Sequence, residues 1–163
     1  MRYSTTVGVD LAKNVIQVSV VSSRGKELLN GSLTRRKFAE FLGKQQPALV
    51  AFEVCATSHY WARAAQRHGH VARIIPANSV APFRQGHKTD SNDALAVAEA
   101  ARRPNIKEVP MKTLDQQGLQ AIQRSRELLV QESTALSKNH LRGLLSEKPG
   151  PPIRSPRARM IIS

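Results

Sequence analysis

Hydrophobic and polar positions alternate in the first third of the chain and later change to a helical spacing. Residues 5–9 form a short, mostly apolar run that ends in Asp10. Residues 14–21 set Val15, Gln17, Ser19 and Val21 against Ile16, Val18 and Val20. A period of two is that of a strand, so both stretches are expected to be extended. Ser22, Ser23, Arg24 and Gly25 supply turn chemistry, and residues 26–33 read as a third strand with a polar outer face. The three together predict an antiparallel meander. Phe38, Phe41 and Leu42 then fall at helical spacing behind Thr34, a good N-cap, and Pro47 closes the connection. Residues 48–52 are wholly apolar, a strand that stops at Glu53.

The second half is read in the same way. Tyr60, Trp61, Ala64 and Ala65 give residues 58–68 a helical packing face, with Gly69 placed to terminate it. Residues 71–75 make the next strand, closed by Pro76; strand, helix, strand in that order implies a crossover and parallel pairing. Residues 77–89, with Pro82 and Gly86, read as a loop that is basic at Arg84 and Lys88. A helix is expected from Asp90 until it breaks at Pro104, and residues 106–110 are short and extended. From 114 to about 145 there is no proline, and an apolar stripe repeats every seven residues at Ala121/Ile122, Leu128/Leu129 and Ala135/Leu136. That narrow seam predicts one long helix, either paired in a coiled coil or helical hairpin or packed on the main domain. Residues 148–159 hold four basic residues, no acidic one and several prolines, and are expected to be disordered.

Composition adds a partner. Only 4% of the residues are aromatic, so the core must be built from Val, Leu, Ile and Ala. The net charge of +13 is spread over the chain except in 111–147, where the two signs nearly balance. A distributed basic excess favours a polyanion such as nucleic acid over a merely soluble basic protein or a membrane-surface protein. The single cysteine, Cys55, excludes an internal disulfide framework and a multi-Cys zinc site. No apolar signal region opens the chain and no run is long enough to span a membrane, so a cytoplasmic protein is expected.

In so basic a chain the twelve acidic residues stand out, and four of them fall where sheet topology can gather them. Asp10 ends the first strand, Glu53 ends the fourth, and Asp90 and Asp93, three apart, share one face of a first helical turn. If the first and fourth strands are parallel neighbours, Asp10 and Glu53 meet at their C-terminal edge, where open α/β sheets place their sites. An all-oxygen set suits hard cations such as Mg2+ or Mn2+, and a pair of such ions supports phosphoryl transfer. Each carboxylate taken singly is a turn, cap or first-turn residue; their joint placement is what points to a site. Lys13 is placed to meet a phosphate, and His87 is a weaker substrate contact. The five histidines show no metal-ligand spacing. Cys55 reads as a small buried filler, Tyr60 and Trp61 as a packing face, and Gly8 as allowing close backbone approach within its strand.

These residues carry a resemblance. Val7-Gly8-Val9-Asp10-Leu11-Ala12-Lys13, Phe52-Glu53 with His59-Tyr60-Trp61-Ala62, Lys88-Thr89-Asp90-Ser91-Asn92-Asp93-Ala94, Arg103-Pro104-Asn105 and Leu141-Arg142-Gly143-Leu144-Leu145 resemble, in order, the DEDD transposases of bacterial insertion sequences, the family that includes the Piv-type DNA invertases. The resemblance covers residues 5–147, and Lys-Thr-Asp-x-x-Asp-Ala is its most specific part. It implies an α/β, RNase H-like (RuvC-like) mixed sheet flanked by helices over residues 1–110, followed by a helical coiled-coil segment at 111–147. It implies a catalytic, metal-binding tetrad of Asp10, Glu53, Asp90 and Asp93 with Mg2+ or Mn2+, and DNA as substrate. Lys13, Arg84 and Lys88 are the expected nucleic-acid contacts. A structured guide RNA, used by some members, and a homodimer or larger assembly through 112–147 are further implied partners. Members continue into a second domain carrying a serine proposed as nucleophile, whereas residues 148–163 form a Pro/Arg-rich tail here, expected to be a truncated or frameshifted end. The chain alone is therefore expected to lack full recombination activity. Two other readings stay open: a sugar-kinase or actin-like ATP-binding fragment, which calls for further Gly-rich phosphate loops, and a nucleic-acid-binding module whose carboxylates are structural.

Overall fold

The computed structural model describes residues 3–87 and 89–146. Lys88 and the basic tail at 148–163 lie outside the described residues. The chain divides into two compact units, Met1–Thr113 and Leu114–Ser163.

In the first unit β1 (Thr5–Leu11), β2 (Val15–Ser22) and β3 (Glu27–Thr34) form the expected antiparallel meander. Two more strands, β4 (Leu49–Glu53) and β5 (Val71–Ile75), pair in parallel, β4 on β1 and β5 on β4, giving the order β3-β2-β1-β4-β5. Alternation along the strands sorts the side chains onto two faces. On one face Val7, Val9, Ile16, Val18, Val50, Phe52 and Ile74 pack against Phe38 and Leu42 of α1 (Arg35–Lys44) and Trp61, Ala62 and Ala65 of α2 (Ser58–Arg67). Thr34 caps α1 as its sequence position predicts, its hydroxyl accepting from the Lys37 N–H.

The 77–89 stretch is not all loop. It contains a short helix α3 (Ala77–Val80) and a 3-10 turn (Ala81–Phe83), because Pro76 and Pro82 hold helix-compatible φ values where an N-terminal turn lacks N–H partners anyway. Val80 and Phe83 then join Ala51, Ile75, Ala96, Val97, Ala100 and Ala101 in a second core. The last four of these belong to α4 (Asp90–Ala101), which lies on the other face of the sheet.

Alanine dominates α4 because there is no room for more. A Cβ built on Gly8 would lie 2.1 Å from the Ala94 carbonyl oxygen and 2.4 Å from the Ala98 nitrogen. Gly8 thus allows a close backbone approach, as expected from sequence, and the element that approaches is the helix α4. Cys55, expected to be buried, is exposed. Trp61 is buried, whereas its neighbour Tyr60 is 51% exposed and lies off the packing face.

The second unit begins with α5 (Leu114–Ser146), one uninterrupted helix with no buried residue. Among the described residues no helix is long and apolar enough to cross a membrane.

Candidate metal centre

Strand register brings the first two carboxylates together. The β1/β4 ladder runs in parallel up to Val9 opposite Phe52, so Asp10 and Glu53 are the next residues on neighbouring strands. Both alternate onto the face that α4 covers, since Val7 and Val9, and Val50 and Phe52, point the other way. Asp10 lies within β1, which runs on to Leu11, instead of ending it.

The other two arrive on α4. Thr89 is its N-cap, accepting from the Asn92 N–H, so Asp90 and Asp93 occupy the first turn, where the helix dipole favours negative charge. Asp90 is exposed, whereas Asp93 is only 7% exposed and faces the sheet. The start of α4 is further tied down on both sides. The Asn92 side chain donates to the His87 carbonyl at 2.8 Å, and Asn30 of β3 donates to the Ser91 carbonyl at 3.2 Å.

Asn30 belongs to a polar cluster that the sequence reading missed. Gln17 donates to Asn30 and accepts from Ser32, while Glu27 accepts from Ser19 and Asn30. Gln17 is directly opposite Asp10 in the β1/β2 ladder and Ser32 directly opposite Gln17 in the β2/β3 ladder, so Glu53, Asp10, Gln17 and Ser32 make a polar row across the sheet. The signal was present: Gln17 and Ser19 alternate on one face of a strand whose other face is wholly apolar. It reads as solvent exposure until α4 is known to cover it, leaving Gln17 8% and Ser19 0% exposed.

Arg84 stands among the carboxylates. Its Nη2 donates to Glu53 Oε2 at 2.9 Å, and its Nε lies 2.7 Å from Asp93 Oδ1 in an ionic contact that is not aligned as a hydrogen bond. The guanidinium therefore joins the end of β4 to the first turn of α4. Its sequence assignment was contact with nucleic acid. Lys13 is exposed, and Lys88 lies outside the described residues.

The electrostatics of Asp10 reflect its company. Burial first, then the negative charges of Asp93, Asp90 and Glu53, push its carboxyl above the usual carboxylate range, and only Arg84 pulls the other way. Four carboxylates and one guanidinium leave an excess of negative charge. Among the described residues no three His, Cys, Asp or Glu side chains lie close enough together to hold a metal ion as they stand. The donor set nonetheless fits a hard divalent cation: it is all oxygen, it is short of positive charge, and Asp93 Oδ1 is buried with no aligned hydrogen bond.

Two of the histidines serve as struts. His70 Nδ1 accepts from the Ala48 N–H and Nε2 meets the Leu42 carbonyl, joining α1, β4 and β5. His59 Nδ1 accepts from the Lys112 N–H, and burial first, then Lys112 and Arg63, hold its imidazole below the ordinary histidine value.

A mixed five-stranded sheet with carboxylates at the edge of its central strand and on a covering helix defines an RNase H-like fold of RuvC type. RuvC from T. thermophilus, solved in complex with a Holliday junction substrate, superposes over 66% of this chain and 100% of its own at a TM-score of 0.50 and 16% identity. A second T. thermophilus RuvC structure superposes over 64% of this chain and 99% of its own at 17% identity and the same TM-score. At that identity the likeness concerns the fold. The chain itself belongs to the DEDD_Tnp_IS110 family, described as transposase, which it matches over residues 7–148. A probable family 20 transposase of Pseudomonas aeruginosa is 42% identical over 141 residues, 86% of this chain and 41% of that protein. The transposases of IS1328 from Yersinia enterocolitica and IS1111A from Coxiella burnetii are 37% and 35% identical, over 78% and 86% of this chain and 38% of each relative. The chain thus spans about two-fifths of the length of these curated relatives. Family membership removes the kinase-like or actin-like reading.

Proposed function

We propose that this chain is the metal-binding, nucleic-acid-binding part of an insertion-sequence transposase, acting on DNA phosphodiesters. The observation that carries the reading is the convergence of Asp10, Glu53 and Asp93 on the α4-covered face, in a protein of net charge +13. Asp10, Glu53, Asp90 and Asp93 would hold Mg2+ or Mn2+, which when bound activates an attacking water or hydroxyl and stabilises the leaving oxygen. Asp10 is fixed by a strand paired on both sides, and Asp93 by the capped and tethered start of α4. Their separation is therefore set by the Gly8 contact between β1 and α4. Exposed Lys13, just past β1, is placed to meet the backbone of a bound nucleic acid. Strand transfer belongs to the whole protein in this reading, and a second copy of the chain is the partner for the apolar stripe of α5.

Calorimetric titration of Mg2+ or Mn2+ into the purified chain, beside the double variant Asp10→Ala, Asp90→Ala, tests the centre. Binding by the unmodified chain alone is expected, and a branched DNA is expected to strengthen it. Equal DNA binding with and without metal, indifferent to the double variant, would instead identify a module whose carboxylates are structural.

A further inference from the structure

Arg84 takes part in the same centre by a route the carboxylates do not. It leaves the 3-10 turn in an extended conformation, φ −70 and ψ 123, and its backbone is held on both sides. Phe83 before it packs in the second core, under Arg103 at 5.6 Å from the ring centroid. His87 after it is tied to Asn92, and Gly86, with φ +72, makes the turn between them. The backbone is anchored, but the guanidinium sits at the end of a long stem and its side chain is 31% exposed. Reorientation is thus available to the side chain without moving the loop.

We propose that Arg84 is an internal counter-cation that competes with divalent metal for Glu53 and Asp93, and so sets how readily the centre loads. The inference rests on the metal-centre reading above. Two observations support it. The guanidinium engages one carboxylate from each of the two elements that must cooperate, Glu53 at 2.9 Å and Asp93 at 2.7 Å, so it neutralises the pair that a bridging cation would use. Its contact with Asp93 lacks hydrogen-bond alignment although both atoms are buried, so what holds it there is charge, and charge is what an incoming dication supplies more of. A dication bound to the same oxygens repels the guanidinium, which has solvent on one side to withdraw into. Arg84 is accordingly a loading residue, distinct from the carboxylates that hold the metal.

The opposite role is a positioning arginine that aligns Glu53 and Asp93 for metal, and the sign of one measurement separates the two. Mn2+ is titrated calorimetrically into the unmodified chain, Arg84→Met and Arg84→Gln, each checked for native circular dichroism. Loss of a charged hydrogen-bonding competitor predicts Kd values lower by about tenfold or more in both variants. It also predicts a lower melting midpoint in chelator and a larger rise on adding Mn2+ than in the unmodified chain. Gln, which keeps a donor, covers the case in which Met does not fold. Unchanged or weaker Mn2+ binding in a folded variant overturns the competition while leaving the metal centre standing. Absence of Mn2+ binding in the unmodified chain and both variants overturns the competition together with the metal-centre reading.

Discussion

Gly8 shows how much rests on a missing side chain. With the Ala94 carbonyl 2.1 Å from where a Cβ would stand, Gly8→Ala must move α4, and the overpacking is expected to cost about 3 kcal/mol in urea unfolding. Any surviving fold would hold Asp93 farther from Asp10, so metal affinity should fall as well, although neither carboxylate is touched. Asp10 illustrates the reverse trade. A carboxyl held above its usual range is one whose ionisation opposes folding, a cost absent in acid and complete once pH has risen through the folded value. Asp10→Asn removes that charge, so the melting midpoint in chelator at neutral pH should rise by a few degrees. The same variant should lose metal binding. A lower midpoint would mean that the charge cluster is already balanced by groups other than Arg84.

At the level of elements, the start of α4 matters most, because it carries two of the four carboxylates. Thr89→Ala removes the hydroxyl that accepts from Asn92, and should cost about 1 kcal/mol in chemical denaturation. Restoring the cap with Ser should recover most of it. The extended segment leading to α5 is held differently. Val109 donates to the Ile74 carbonyl on the edge of β5, and the Lys112 N–H donates to His59 on α2. A proton on His59 Nδ1 would break the second bond. Because the folded state holds this imidazole below its ordinary value of 6.5, the unfolded chain takes up the proton first. The contribution is therefore whole above about pH 6.5 and is lost as pH falls below it. The urea midpoint of the unmodified chain should drop more between pH 7 and 5 than that of His59→Asn, whose Oδ1 stands where Nδ1 does and can accept from Lys112 without titrating.

At the scale of the whole molecule, a 33-residue helix with no buried residue lacks the packing of an apolar face that supplies most helical stability in proteins. Ile122, Leu129 and Leu136 are 68%, 65% and 70% exposed along it, at the seven-residue spacing of a coiled-coil seam. With a second copy as partner, sedimentation equilibrium should give a dimer that Leu129→Glu with Leu136→Glu converts to monomer. The helix signal at 222 nm should fall along with it. A monomeric unmodified chain would refute the pairing. The net charge of +13 belongs to the same scale, and nucleic-acid affinity should fall steeply with salt if phosphate contacts carry the binding.

All five strands, the capped helix after Thr34, the helix at Asp90 and the long C-terminal helix were legible in the sequence, because a burial pattern of period two or 3.6 is written in each segment's own residues. So were the neighbourhood of Asp10 and Glu53, which follows once the first and fourth strands are parallel neighbours, and the first-turn position of Asp90 and Asp93. The covering of Gln17 and Ser19 by α4, the element that approaches Gly8 and the exposure of Cys55 depend on residues scores of positions away. No local pattern encodes which face of a strand a distant helix will cover. Arg84 is the plainest case. In sequence it is one basic residue in a proline-containing loop, ready for a phosphate. Tertiary structure places it between Glu53 and Asp93, because a guanidinium has its lowest energy where unbalanced negative charge is closest, and that charge exists only once β4 and α4 have met.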